Sequence, residues 1–130
     1  MLFPKEDHSR DPLTEKIIGA AIEVHRNLGP GLLESVYEKC LCYELEQLGL
    51  SIVRQQAMPV RYKGLTFEEG FRIDVVVEGQ VILELKVVND ILPIHEAQLL
   101  TYMKLANVRR GLILNFHVHL MKDGMRRFVL

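Results

Sequence analysis

The stretch FRIDVVVEGQVILELKVV, Phe71 to Val88, decides how this chain folds. It reads as two apolar strands joined near Gly79, rich in Val, Ile and Leu, yet it carries Asp74, Glu84 and Lys86. Unpaired charge is expensive to bury, so these three need a partner or a purpose. Residues two apart share a strand face. Arg72, Asp74 and Val76 therefore face one way on the first strand, and Ile82, Glu84, Lys86 and Val88 face one way on the second. Two registers are open. A two-residue turn at Gly79-Gln80 pairs Glu78 with Val81, sets Val75 opposite Glu84 and leaves Asp74 on the other face. A three-residue turn, Glu78-Gly79-Gln80, pairs Val77 with Val81 and sets Asp74 opposite Glu84.

In the second register the two carboxylates have β-carbons about 5 Å apart. Like charges at that separation repel. A Mg²⁺ ion, bound by oxygens at about 2.1 Å, would join them into half of an octahedral site, with water and a substrate phosphate to complete it. Lys86, on the same face as Glu84, would steer the phosphate or place the attacking water. The plainer reading of the Glu-x-Lys triplet is a structural salt bridge from Lys86 to Asp74 or Glu84.

Outward from this hairpin the pattern alternates helix and strand. Asp11-Pro12 is a helix start, with Asp as N-cap and Pro in the first turn. Leu13, Ile17, Ile18, Ala21, Val24 and Leu28 then recur at helical spacing. After Gly29-Pro30-Gly31 a second helix is predicted from Leu33 to Leu48, with Gly49 as its C-cap. Strands are predicted at 51–62, 65–77 and 81–88, a third helix at 93–105, and strands at 111–116 and 125–130, with Asp123-Gly124 as a hairpin turn between the last two. The order is α-α-β-β-β-α-β-β, an α/β (α+β) arrangement with helices packed on a mixed sheet. Residues 1–12 are expected to form an N-terminal tail and 13–130 a single domain.

The totals exclude several classes. The chain has 130 residues, 48% hydrophobic and 25% charged, so disorder is not expected. No apolar run reaches membrane-spanning length, and the N-terminus lacks the apolar core of a signal peptide. Cys40 and Cys42 lie too close in sequence for a mutual disulfide to be expected, and two thiols cannot make a four-ligand metal site. A reducing, cytoplasmic compartment is expected. Net charge is −1, but residues 104–130 carry six basic side chains against Asp123 alone. That basic end suggests a phosphate-binding face, or else a solvated strand edge guarded against aggregation. In NFHVHL, His117 and His119 would share one strand face and could bind a transition metal, although no third ligand is evident. His25 is expected to be satisfied in packing.

Two companion motifs bear on the charged hairpin. GLLESVY places Gly31, Glu34 and Tyr37 in G-x-x-E-x-x-Y spacing, with Glu34 near a helix start. HEAQLLTYMKLA places Gln98 and Tyr102 four apart on the third helix, with His95 one turn earlier. The ordered set Glu34, Asp74, Glu84-x-Lys86 and Gln98-x-x-x-Tyr102 resembles the G-x-x-E-x-x-Y family of the PD-(D/E)XK nuclease superfamily, in its RecB-like and phage lambda-type exonuclease branch. The resemblance covers almost the whole chain. It departs in one place: the Pro that names the motif is absent before Asp74, which follows Arg72-Ile73.

The resemblance implies a restriction-endonuclease-like fold, a prokaryotic protein and a metal-dependent nuclease acting on nucleic acid, with DNA expected over RNA. It implies catalytic roles for Glu34, Asp74, Glu84, Lys86, Gln98 and Tyr102. Asp74, Glu84 and the Leu85 carbonyl would bind Mg²⁺, or Mn²⁺ in its place, with Glu34 joining directly or through a water. Lys86 would orient the water, and Gln98 and Tyr102 would hold the site or the nucleic-acid end. His95, Lys104, Arg109, Arg110, Arg126 and Arg127 are the candidate nucleic-acid contacts. The alternative is a nucleic-acid-binding or scaffold module that keeps the nuclease fold with little turnover. So short a chain has little room for a substrate clamp, which a homo-oligomer would supply.

Overall fold

The computed structural model describes residues 5, 6 and 11–130, so most of the expected N-terminal tail lies outside the described residues. The elements are β1 (Lys5–Glu6), α1 (Pro12–Leu28), α2 (Glu34–Gln47), β2 (Ile52–Tyr62), β3 (Leu65–Val77), β4 (Val81–Lys86), α3 (Pro93–Ala106), β5 (Arg110–Asn115) and β6 (Met125–Val129), with a 3-10 turn at Met121–Gly124. After the short β1, the order is the one read from the sequence.

The described strands form one sheet in the order β1-β6-β5-β4-β3-β2. Only β4 and β5 run parallel; the other neighbours are antiparallel. Parallel neighbours need a crossover, and α3 supplies it. Central β4 is buried on both faces, which explains its nearly unbroken apolar run. Leu83 and Leu85 pack with α1 and α2 through Ile17, Val24, Tyr37 and Leu41. Ile82 faces the other way and packs with Leu99 and Met103 of α3. At Gly111 of β5 an added Cβ would lie 2.6 Å from Met103 Sδ, so the missing side chain lets α3 sit close to the sheet.

The hairpin at Gly79 takes the three-residue turn. Val77 pairs with Val81, Val76 with Ile82 and Val75 with Leu83. Glu78 and Gly79 both have positive φ, 54° and 63°, and Gln80 N–H donates to the Val77 carbonyl at 2.9 Å. Asp11 caps α1 as expected: its carboxylate accepts Thr14 N–H at 3.0 Å and the Thr14 hydroxyl at 2.7 Å. The α2 helix ends at Gln47 with Leu48 as its C-cap, and Gly49, the expected cap, follows with φ 78°.

Two local expectations are corrected. Asp123-Gly124 is not a hairpin turn but the end of the 3-10 turn Met121–Gly124. Met121 is buried against the α1–α2 core, and at Gly124 an added Cβ would lie 2.0 Å from the Asn115 carbonyl oxygen, so the connection is pulled inward. His117 and His119 share no strand face, because β5 ends at Asn115 and both lie in the following loop. The Asn115 side chain bends the chain there, accepting His117 N–H at 3.2 Å. His25 is buried, with Nε2 2.7 Å from the Val118 carbonyl oxygen. Cys40 and Cys42 are free thiols.

Candidate active site

β3, β4, α2 and α3 each bring part of the predicted set to one end of the β3–β4 pair. Carried one step past Val75–Leu83, the register sets Asp74 opposite Glu84, but backbone pairing stops short of that step. Instead Asp74 Oδ2 accepts Leu85 N–H at 2.9 Å, so a side chain serves where a strand carbonyl would. Its Oδ1 lies 3.4 Å from Gln55 Nε2.

Glu84 is only 5% exposed, and its Oε1 is buried with no hydrogen-bond donor. Burial first, and the Asp74 charge second, push its pKa up to about 8; Lys86 pulls the other way. The Asp74 pKa is raised too, by burial above all and then by the Glu38 carboxylate, against the lowering effect of the Leu85 N–H. Glu34, first residue of α2, has its pKa raised by lost hydration and then by Asp74, with Lys86 opposing. These mutual influences gather Glu34, Asp74, Glu84 and Lys86 into one cluster. Lys86 is half-buried and forms no ion pair with a described residue, which removes the plain salt-bridge reading of the Glu-x-Lys triplet.

α3 closes another side. Gln98 Nε2 donates to the Tyr102 hydroxyl at 2.8 Å, and the Tyr102 ring stacks on Phe71 of β3 with centroids 4.6 Å apart. Burial raises the Tyr102 pKa, with the Glu84 carboxylate as the next cause.

The G-x-x-E-x-x-Y spacing divides its labour. Gly31 has φ 102°, a conformation that favours glycine. Tyr37 is fully buried; its hydroxyl donates to the Gly29 carbonyl at 2.6 Å and accepts Leu32 N–H at 3.2 Å. It thereby fixes the loop that launches α2, and with it the position of Glu34.

The predicted nucleic-acid contacts are not gathered onto one face. Arg126 lies 3.9 Å from Glu96 of α3, whereas its neighbour Arg127 lies 3.6 Å from Glu15 of α1, across the sheet. Arg109 donates to the Leu130 carbonyl, and Arg110 lies 4.0 Å from Asp11. Arg110 pairs with Val81 and so sits at the opposite end of β4 from Lys86. Lys104 lies in the last turn of α3. His95 Nδ1 accepts Leu92 N–H at 3.0 Å, which satisfies the start of α3.

Besides Gln55, two residues near the cluster were missed. Glu38, one turn after Glu34, is buried and accepts Arg54 Nη2 at 2.9 Å and Gln55 Nε2 at 2.6 Å. Asn115, opposite Lys86, accepts Val88 N–H at 3.0 Å and donates to the Val88 carbonyl at 2.8 Å, holding the exit from β4. Only Glu38 had a sequence signal, its helical spacing from Glu34.

The donor set fits a hard cation in kind: two carboxylates rich in oxygen, one of them with a buried oxygen lacking a partner. Among the described residues, no group of three or more His, Cys, Asp or Glu side chains is placed to hold a metal ion by itself. Backbone oxygen and water would have to complete the coordination.

A mixed sheet flanked by helices, with an acid from β3 and an acid-x-lysine from β4, defines a restriction-endonuclease-like protein. Residues 11–128 match the family model of the PD-(D/E)XK nuclease superfamily, and the chain belongs to that superfamily. Its members generally use divalent metal ions. No curated protein and no solved structure matches the chain. Among the described residues no helix is long and apolar enough to cross a membrane.

Proposed function

We propose that the protein is a Mg²⁺-dependent nuclease that hydrolyses phosphodiester bonds, in DNA in preference to RNA, as a member of the G-x-x-E-x-x-Y family. One observation carries this reading: Glu84 Oε1 is buried without a donor among the described residues, in a cluster with Asp74 and beside Lys86, which forms no ion pair with a described residue. A salt-bridged strand pair would give that oxygen a partner. Asp74, Glu84 and the Leu85 carbonyl would hold the ion, with Glu34 reaching it through water. When bound, the ion supplies the charge that activates a water and stabilises the pentavalent phosphate. The Leu85 N–H holds Asp74 by Oδ2 and Gln55 Nε2 lies 3.4 Å from Oδ1, so the remaining lone pairs of the carboxylate would face the ion. Lys86 presents its ammonium to a phosphate oxygen and acts by position and charge. Tyr102, fixed by Gln98 and by its stack on Phe71, limits where the nucleic-acid end can sit.

A second reading has its own observation. Among the described residues no three acidic side chains are placed to hold a metal ion by themselves, and the basic residues are scattered, as suits a nucleic-acid-binding or scaffold module with little turnover. The test is direct. Purified protein with Mg²⁺ or Mn²⁺ is given linear double-stranded DNA, single-stranded DNA and RNA. Cleavage that is lost in Asp74→Ala and Lys86→Ala supports the enzyme. Equal background from all three proteins overturns it, and salt-sensitive binding without cleavage favours the module.

A further inference from the structure

Gln55 lies in the middle of β2 with φ 49°. The other non-glycine described residues with positive φ are explained by their places: Lys63 and Glu78 sit in hairpin turns and Asn107 caps α3. Gln55 has no turn to make. The β2–β3 pairing runs in constant register through Arg54–Val75 and Gln56–Ile73 but skips the step between them, where Gln55 faces Asp74. The facing of the strand changes at the same step. Val75 and Val77 pack with α1 and α2, whereas Phe71 and Ile73 pack with α3. A strand keeps strict alternation unless its backbone is distorted.

The distortion is held from several sides. The Gln55 carbonyl, turned out of the ladder, accepts Arg72 Nη1 at 3.0 Å. Its side-chain Nε2 lies 2.6 Å from Glu38 Oε1 and 3.4 Å from Asp74 Oδ1. Carboxylate oxygens only accept, so the amide nitrogen with its two hydrogens is the one atom of Gln55 that suits both. Glu38 is anchored in turn by Arg54 Nη2 and Nε, at 2.9 and 3.3 Å.

We infer that Gln55 is a positioning residue, held in a strained conformation so that its amide bridges Glu38 of α2 to Asp74 and fixes the Asp74 carboxylate beside Glu84. Strain kept by surrounding contacts next to reactive groups is the form such devices take. The catalytic part of this inference rests on the nuclease reading; the structural part does not.

Gln55→Gly removes the amide and suits the backbone, since glycine adopts positive φ freely. Gln55→Asn keeps an amide and tolerates that conformation but is one methylene too short. The first readout is amide hydrogen exchange at Leu85, whose N–H is bonded by Asp74. Both variants are expected to fold, with Leu85 protection reduced about tenfold while Leu83 and Ile113 stay as in the wild type. Unchanged Leu85 protection in Gln55→Gly overturns the inference. The second readout is Mn²⁺ affinity by calorimetry together with kcat and KM on linear DNA. Loss of an outer partner is expected to weaken metal binding or kcat about tenfold or more, with KM for DNA unchanged. Wild-type affinity and kcat in both variants also overturn it. If the wild-type protein neither binds Mn²⁺ nor cleaves, the nuclease reading falls, and Leu85 exchange still decides whether Gln55 positions Asp74.

Discussion

Tyr37 lies flat on Phe116, with ring centroids 4.6 Å apart and planes 10° apart. One ring belongs to α2 and the other follows the last residue of β5, so the helix that carries Glu34 is fastened to the end of the sheet beside Lys86. Tyr37→Phe keeps the stack and removes both hydroxyl hydrogen bonds. It is expected to cost about 1–3 kcal/mol in urea unfolding, because the Gly29 carbonyl and the Leu32 N–H lose a partner. Nuclease activity should fall with it, since the loop that sets Glu34 loosens. Wild-type stability in this variant would show that water replaces the hydroxyl without loss.

Glu84 makes stability depend on pH in a direction opposite to that of a salt-bridged acid. Its folded pKa is raised from 4.5 to about 8, so between these values the folded chain holds a proton that the unfolded chain has lost. Stability is therefore highest at the acid end of this window and falls as pH rises through it, by on the order of a few kcal/mol. Glu84→Gln should flatten that dependence and be more stable than the wild type at pH 8. Denaturant midpoints at pH 5 and pH 8, without divalent ions, measure it. A wild-type midpoint that rises with pH would contradict the burial of this carboxyl.

Mg²⁺ should reverse the effect. Its carboxylate ligands must be deprotonated, and it binds the folded chain in preference. The gain in melting temperature on adding Mg²⁺ should be larger at pH 8 than at pH 5 and absent in Asp74→Asn. Equal gains in wild type and Asp74→Asn would place the ion elsewhere.

Lys86→Met keeps the aliphatic stem and removes the charge. Mn²⁺ affinity should be kept or slightly increased, because a neighbouring cation is gone, while cleavage falls about a hundredfold or more. Parallel loss of binding and cleavage would mean that Lys86 organises the metal site and not the reaction.

Gly124 and Gly111 are expected to tolerate alanine unequally. A Cβ at Gly124 would sit 2.0 Å from a backbone oxygen of Asn115, whereas at Gly111 the nearest atoms are the flexible ends of Met103 and Leu99. Overpacking costs about 1–3 kcal/mol where side chains can shift. Gly111→Ala should stay in that range and Gly124→Ala should exceed it, as judged by thermal unfolding.

The legible parts of this protein were those written in local patterns. Asp11-Pro12 announces its helix, and the apolar runs of β3 and β4 announce the central hairpin. The acid-x-lysine triplet marks two members of the candidate cluster, and helical spacing brought Gln98 to Tyr102. The missed parts depend on contacts distant in sequence. Nothing around Gln55 signals a mid-strand residue with positive φ, because glutamine is no turn former; Glu38, Arg72 and Asp74 hold it there. Asp123-Gly124 has turn chemistry, but the buried Met121 and the close approach of Gly124 to Asn115 decide the path. Asn115 reads as an ordinary strand end until Val88 is seen against it.

The turn at Gly79 does not have to impose the hairpin register, since β4 is locked by apolar contacts on both faces and by β5 along its length. That leaves residues 78–80 as a handle. They stand at the opposite end of β4 from Lys86, about 17 Å along a strand of this length. A fluorophore, an affinity tag or new chain termini should be tolerated between Gly79 and Gln80. The molecule can be tethered to a surface there, with its acidic cluster left open to solution.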